Sequence, residues 1–316
     1  MIVKLYNTKF ILILLSIIFQ CISCFADNYN LPDYKHPLFD RFTTRTLPKL
    51  NDFSSVHLSS FADHKSILYP FGGPDVIYPI VLFPNAETYT LIGLEKTGKN
   101  LDNLSTISKQ ALDKSLESLL RRSFFVTYDM SHDISVEYGV LPMLIAQLNM
   151  LSGKIKDLKY LDFDFGNSIE ITFSYLGTDR KLIYLKSNLQ NEYLKNGLLE
   201  YIRDNNLLDI CLLKAGSYNL HKKEFSKIRD FLINGSNVVL QDDTGIPVNE
   251  LSKDFSIKLF GNYAAPYGKE WSGYRQKELI DMYNLNGSVD KITFCYGYGC
   301  GKIVPAIILA EKKRPS

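Results

Sequence analysis

The chain has 316 residues, 46% of them hydrophobic, and a formal net charge of +2. That is ample apolar material for a core. It is too little net charge for a global attraction to nucleic acid or an anionic membrane, so neither partner is expected.

Residues 1–26 have the order of an export signal. Lys4 and Lys9 supply positive charge, and no acid precedes Asp27. The apolar run Phe10–Phe19 is too short to span a bilayer, which needs about 20 residues. Cys24 and Ala26 put small side chains at the −3 and −1 positions of a cut before Asp27. An uncleaved anchor or a lipoprotein fits this order less well. The expected location is therefore outside the cytoplasm, periplasmic or secreted. No second run is long enough to span a membrane, so no stable span is expected after cleavage. Without the leader, the 36 basic residues lose two and match the 34 acidic ones.

Cys211, Cys295 and Cys300 lie beyond the leader. An oxidising compartment permits one disulfide and one free thiol. Cys295–Cys300 is the favoured pair, because Gly297 and Gly299 can turn the chain between them; three reduced cysteines are the alternative. No CxxC or His-rich arrangement remains, and no metal site is expected.

Residues 27–65 are polar and turn-rich, with Pro32, Pro37 and Pro48, and read as an N-terminal arm. Residues 66–316 read as a single α/β domain. SILYPF is a strand broken by Gly72-Gly73. PDVIYPIVLF is a helix shortened or kinked by Pro79, and TYTLIGLE is a second strand. Residues 101–122 and 139–151 have helical patterns. SFFVTYDM, from Ser123, is a strand or a buried loop. IEITFSY and KLIYLK flank Gly177-Thr178-Asp179 as a hairpin. Residues 191–204 form an amphipathic helix, LLDICLLK a buried strand, residues 223–234 a helix and NVVLQ another strand. A helix over residues 273–283 precedes the closing segments KITFCYGYG and IVPAIILAEKK. The expected fold is a mixed, mainly parallel sheet flanked by helices, Rossmann-like, with an antiparallel hairpin at one edge.

In such a sheet the carboxyl ends of the parallel strands share one edge, where ligands bind. SILYPF runs into Gly72, Gly73 and Asp75; TYTLIGLE ends at Glu95; LLDICLLK ends at Lys214, with His221 soon after; NVVLQ ends at Asp242-Asp243. These residues are expected to converge on one crevice. Gly72-Gly73 either brings free backbone N–H groups to a ligand or makes a tight turn. Asp242 and Asp243 either supply a general base or form a turn in QDDTGIP. Lys214 is expected to pair with Asp242, Asp243 or Glu95. His221 is a site residue or a helix cap. Ser217 lies near His221, but no G-x-S-x-G elbow supports a serine nucleophile. Tyr69, Phe71 and Tyr78 by default pack in the core and otherwise stack on a sugar or a flat ligand, with Trp271 and Tyr274 the next aromatic candidates.

The segments YPFGGPD, GLE, KAGSYNLH and QDDTGIP together resemble a family of exported bacterial proteins. That family is marked by YPFSGPD-, GLEP-, KSASYLMH- and QDDSGIP-like segments. The resemblance spans roughly residues 69–310. It rests on Tyr69, Pro70, Phe71, Gly73, Pro74 and Asp75, on Gly93, Leu94 and Glu95, and on Lys214, Ser217, Tyr218 and His221. Gln241, Asp242, Asp243, Gly245, Ile246 and Pro247 complete it. Gly72, Lys96 and Thr244 depart from the pattern, and Gly72 in place of a hydroxyl argues against a nucleophile there. The resemblance implies export and a bacterial source, and it implies no reaction or cofactor. The expectation is a crevice for a small polar ligand or glycan. A hydrolase using Asp242 or Asp243 with Lys214, and a structural or host-interaction protein without a ligand site, are the alternatives.

Overall fold

The computed structural model describes residues 35–98, 109–125, 139–286, 290–301 and 304–314. The leader read over residues 1–26 lies outside them, as do residues 101–108 of one expected helix and most of SFFVTYDM.

The segment before the first strand is helical where it is described. Helices α1 (Phe39–Arg45) and α2 (Leu47–Phe53) run into a wider π-helical turn, Ser54–Leu58, and then a tight 3-10 turn that ends at Phe61. Pro48 sits in the first turn of α2, where a missing N–H costs nothing. Phe42, Leu50, Phe53, Leu58 and Phe61 are buried in the main core, so this stretch contributes to the core.

Strand β1 (Ser66–Pro70), helix α3 (Ile77–Leu82) and strand β2 (Thr88–Gly93) form the first parallel unit. Pro79 falls at the third position of α3, before intrahelical N–H bonds are due, so the helix starts late and is not kinked. Helices α4 (Lys109–Arg122) and α5 (Leu141–Met150) follow, then strands β3 (Lys154–Phe163), β4 (Gly166–Tyr175) and β5 (Thr178–Lys186). The second half alternates α6 (Asn196–Asp204), β6 (Ile210–Leu213), α7 (Ser226–Gly235), β7 (Val238–Gln241), α8 (Val248–Asp254), β8 (Phe255–Gly261), α9 (Lys277–Asn286) and β9 (Ala306–Lys312).

The nine strands make one mixed sheet in the order β3-β4-β5-β2-β1-β6-β7-β9-β8. Its centre, β5-β2-β1-β6-β7, is parallel. The hairpin β4–β5 is antiparallel, as its alternation predicts, and β3 extends it. The hairpin thus lies at one edge as expected, and a further antiparallel pair, β8 and β9, closes the other.

Both faces of the central strands are covered, which is why they read as continuous apolar runs. Alternate residues point to opposite cores. Ile67, Tyr69, Ile210 and Leu212 face α3, α4 and α5, while Leu68, Cys211 and Leu213 face α6, α7 and α8. Cys295 and Cys300 are bridged, with Cα atoms 4.5 Å apart, and Cys211 is a buried free thiol. Among the described residues no helix is long and apolar enough to cross a membrane, and no group of acidic, His or Cys side chains could hold a metal ion.

Candidate functional site

The chain leaves β1 toward the face that holds α3 and leaves β6 toward the face that holds α7. These two strands are neighbours, so their loops diverge and open a crevice at the carboxyl edge of the sheet. A cleft of about 380 Å³ lies there. Four loops build it: 71–73 after β1, 94–95 after β2, 187–189 after β5 and 214–219 after β6. Phe124, Phe225 and Tyr298 complete the walls.

Backbone strain concentrates at this edge. Phe71, Ala215, Ser217 and Tyr218 all have left-handed φ, between 52° and 64°. Each costs a non-glycine residue free energy, and such outliers cluster at functional sites. The loop after β6 is held by the chain after β7. Asp242 Oδ2 accepts the Ala215 N–H at 2.8 Å, and Thr244 Oγ1 accepts the Gly216 N–H at 2.8 Å.

Beneath the cleft lies a buried ion pair. Lys214 Nζ is 2.9 Å from Asp75 Oδ2, and neither side chain is more than 1% exposed. The ammonium also sits 3.8 Å from the centre of the Tyr78 ring, a cation–π contact. Asp75 Oδ2 accepts the Tyr69 hydroxyl at 3.1 Å, and Asp75 Oδ1 accepts the Tyr78 N–H at 3.3 Å. Burial lowers the pKa of Lys214, opposed by the Asp75 and Asp242 carboxylates. The acid in contact with Lys214 is therefore Asp75, and the expected contact with Asp242, Asp243 or Glu95 is corrected. The turn at Gly72-Gly73 folds Asp75 back under the sheet edge, where it also caps α3.

Glu95 stands at the rim, half-buried. Its Oε2 accepts the Tyr184 hydroxyl at 3.0 Å. Gly72 has no room for a side chain because the Tyr69 ring packs against it, and Gly73 turns at φ +56° beside the Glu95 carboxylate. The two glycines thus make a tight turn on the cleft wall.

Asp242, Asp243 and His221 lie behind the loop after β6 and do not line the cleft. Asp242 Oδ1 accepts both the N–H and the hydroxyl of Thr244, at 3.0 and 2.6 Å, which is a turn-forming arrangement. Gly297, at φ +57°, covers this carboxylate so closely that a Cβ would fall on it. Asp243 Oδ2 accepts the Tyr218 hydroxyl at 2.6 Å. Burial, and then the charge of Asp242, push Asp243 up to about 7. Burial lowers His221 to about 4, helped by Arg229 and opposed by the Gly245 backbone. Its ring packs edge-on to Tyr218, whose ring stacks on Tyr274 at 4.9 Å, and Trp271 adjoins both. Ser217 Oγ contacts the Tyr298 hydroxyl at 2.6 Å, not His221.

Three positions escape the strand-end reading. Gln147, the buried amide on α5, accepts the Val76 N–H at 2.9 Å and donates to the Pro74 carbonyl at 2.7 Å, so it fixes the loop after β1. An amide inside an apolar helical run is the signal. Ser187 and Asn188 follow β5, and the rule applied to the other parallel strands finds them too.

Comparison with protein-family models, curated proteins and solved structures gives no match. What the site can do follows from its geometry.

Proposed function

We propose that this is an exported protein, periplasmic or secreted, whose switch-point cleft binds a small polar ligand, most suitably a saccharide. The observation that carries the reading is the mixture on the cleft walls. Partly exposed rings (Phe71, Phe124, Phe225 and Tyr298) stand beside hydrogen-bonding groups from Glu95, Ser187, Asn188, Ser217 and Asn219. Sugar rings use both, an apolar face for stacking and hydroxyls for directed bonds. The Cys295–Cys300 bridge fits an oxidising compartment.

A hydrolytic role for Asp242 or Asp243 fits less well. Both oxygens of Asp242 already accept hydrogen bonds, and neither carboxylate lines the cleft.

Calorimetric titration with glucose, galactose, N-acetylglucosamine and their disaccharides tests the proposal. At least one should bind with micromolar to millimolar Kd. Glu95→Gln, which removes a charged acceptor, should weaken it by about tenfold or more. Failure of every saccharide, or equal binding by Glu95→Gln, would count against the proposal.

A further inference from the structure

A second concavity, of about 570 Å³, lies between the N-terminal helices, the end of α4 and the disulfide loop. Among the described residues five cations line it: Arg41 and Arg45 from α1, Lys49 from α2, and Arg121 and Arg122 from α4. Among the described residues no carboxylate lines it, although the whole chain carries a net charge of only +2. All five are exposed.

Their partners are few. Arg121 pairs with Glu117 at 2.6 Å, and Lys49 donates to the Thr293 carbonyl at 2.8 Å. Among the described residues no carboxylate pairs with Arg41, Arg45 or Arg122. The acid beside Arg41, Asp40, is taken by Lys35 at 2.8 Å. Arg41 and Arg45 stand four apart on α1, a spacing at which like charges destabilise a helix. Arg45, Arg121 and Arg122 have a structural use at helix carboxyl ends. Arg41, at the start of its helix, has none.

The floor is apolar. Phe42, Leu120, Ile292 and Phe294 form it, and Val304 is 43% exposed at its edge. A cationic rim over an apolar floor matches a molecule with an anionic head and an apolar body. The guanidinium groups suit a phosphate, which they bind through paired hydrogen bonds. The site is concave, so it suits a single molecule better than a flat bilayer.

We propose that this groove binds an amphipathic phosphate, its head held by Arg41, Arg45 and Arg122 and its apolar body on the Phe42–Leu120 floor. The test is calorimetric titration of the full chain with dodecyl phosphate below its micellar concentration. Dodecanol and inorganic phosphate serve as probes of each half. Dodecyl phosphate should bind at least about tenfold more tightly than either. Arg41→Gln/Arg45→Gln should lose about tenfold or more in affinity, and Arg122→Gln, on the opposite wall, should also weaken it. These side chains are exposed, so melting temperatures should stay near that of the parent. Absent binding, affinity unchanged in both variants, or binding of phosphatidylglycerol vesicles without binding of dodecyl phosphate would each overturn the proposal.

Discussion

Asp75→Asn is expected to destabilise the fold by about 3–5 kcal/mol, a large share of the roughly 5–15 kcal/mol that holds a typical domain together. The cause is the buried pair with Lys214. Without the carboxylate, the ammonium keeps its desolvation penalty and loses its counter-charge. The remaining attractions, the Tyr78 ring and the more distant Asp242 carboxylate, are too weak to compensate. Lys214→Met in the Asp75→Asn background should recover most of the loss, because an unbranched apolar chain of similar length can rest on the same ring. The pH dependence identifies the cause. A lysine whose folded pKa lies below its unfolded value gains stability as pH rises between the two. The deficit of Asp75→Asn should therefore shrink toward alkaline pH, and the deficit of the double variant should not. Urea midpoints at constant slope measure all three proteins. A single-variant loss below about 1 kcal/mol would show that the pair carries no such weight.

The second large effect is a pair of opposite pH slopes behind the cleft. Asp243 is raised from 3.8 to about 7, so the folded state holds its proton more tightly than the unfolded state. Between those values its contribution to stability falls as pH rises. His221 is lowered from 6.5 to about 4, so the folded state holds its proton less tightly. Between those values its contribution grows as pH rises. From pH 4 to 6.5 the two oppose each other. Relative to the parent, Asp243→Asn should therefore tilt the profile upward with pH, and His221→Gln should tilt it downward. Each change should approach at most about 1.4 kcal/mol per pH unit, the slope for one proton. Parallel profiles for all three proteins would contradict these assignments.

What the chain discloses before it is folded depends on how cleanly each element keeps its period. Strands β1, β2, β6 and β7 are short apolar runs ended by polar turns, and covering both faces makes them legible. β3 is not. A bulge between Ile155 and Asp157 shifts its register, and its buried residues, Ile155 and Leu158, stand three apart, a helical spacing. Its exposed lysines suit an edge strand and hide it further. The helices before β1 are hidden by Pro37 and Pro48, which read as breakers. Pro48 lies where a helix tolerates it.

At the site, the strand-end rule gathers Glu95, Gly72, Gly73, Lys214 and Tyr69 onto one cleft. It does not separate residues that face the cleft from those that hold its loops. Asp242 sits beyond a strand end like the others, but its oxygens are spent on Ala215 and Thr244. Only side-chain direction distinguishes the two roles. Lys214 finds Asp75 because a two-glycine turn reverses the chain beneath it, a path that residue order does not encode.

The central claim is that the crevice between β1 and β6 is where a ligand sits. The most direct measurement is a crystal structure after soaking with the tightest-binding saccharide from the titration series. Density is expected inside the cleft, with a sugar face against Phe225 or Tyr298 and hydroxyls within hydrogen-bond distance of Glu95 and Asn188. Saccharide density confined to another surface, with the cleft unchanged and empty of sugar, would contradict it.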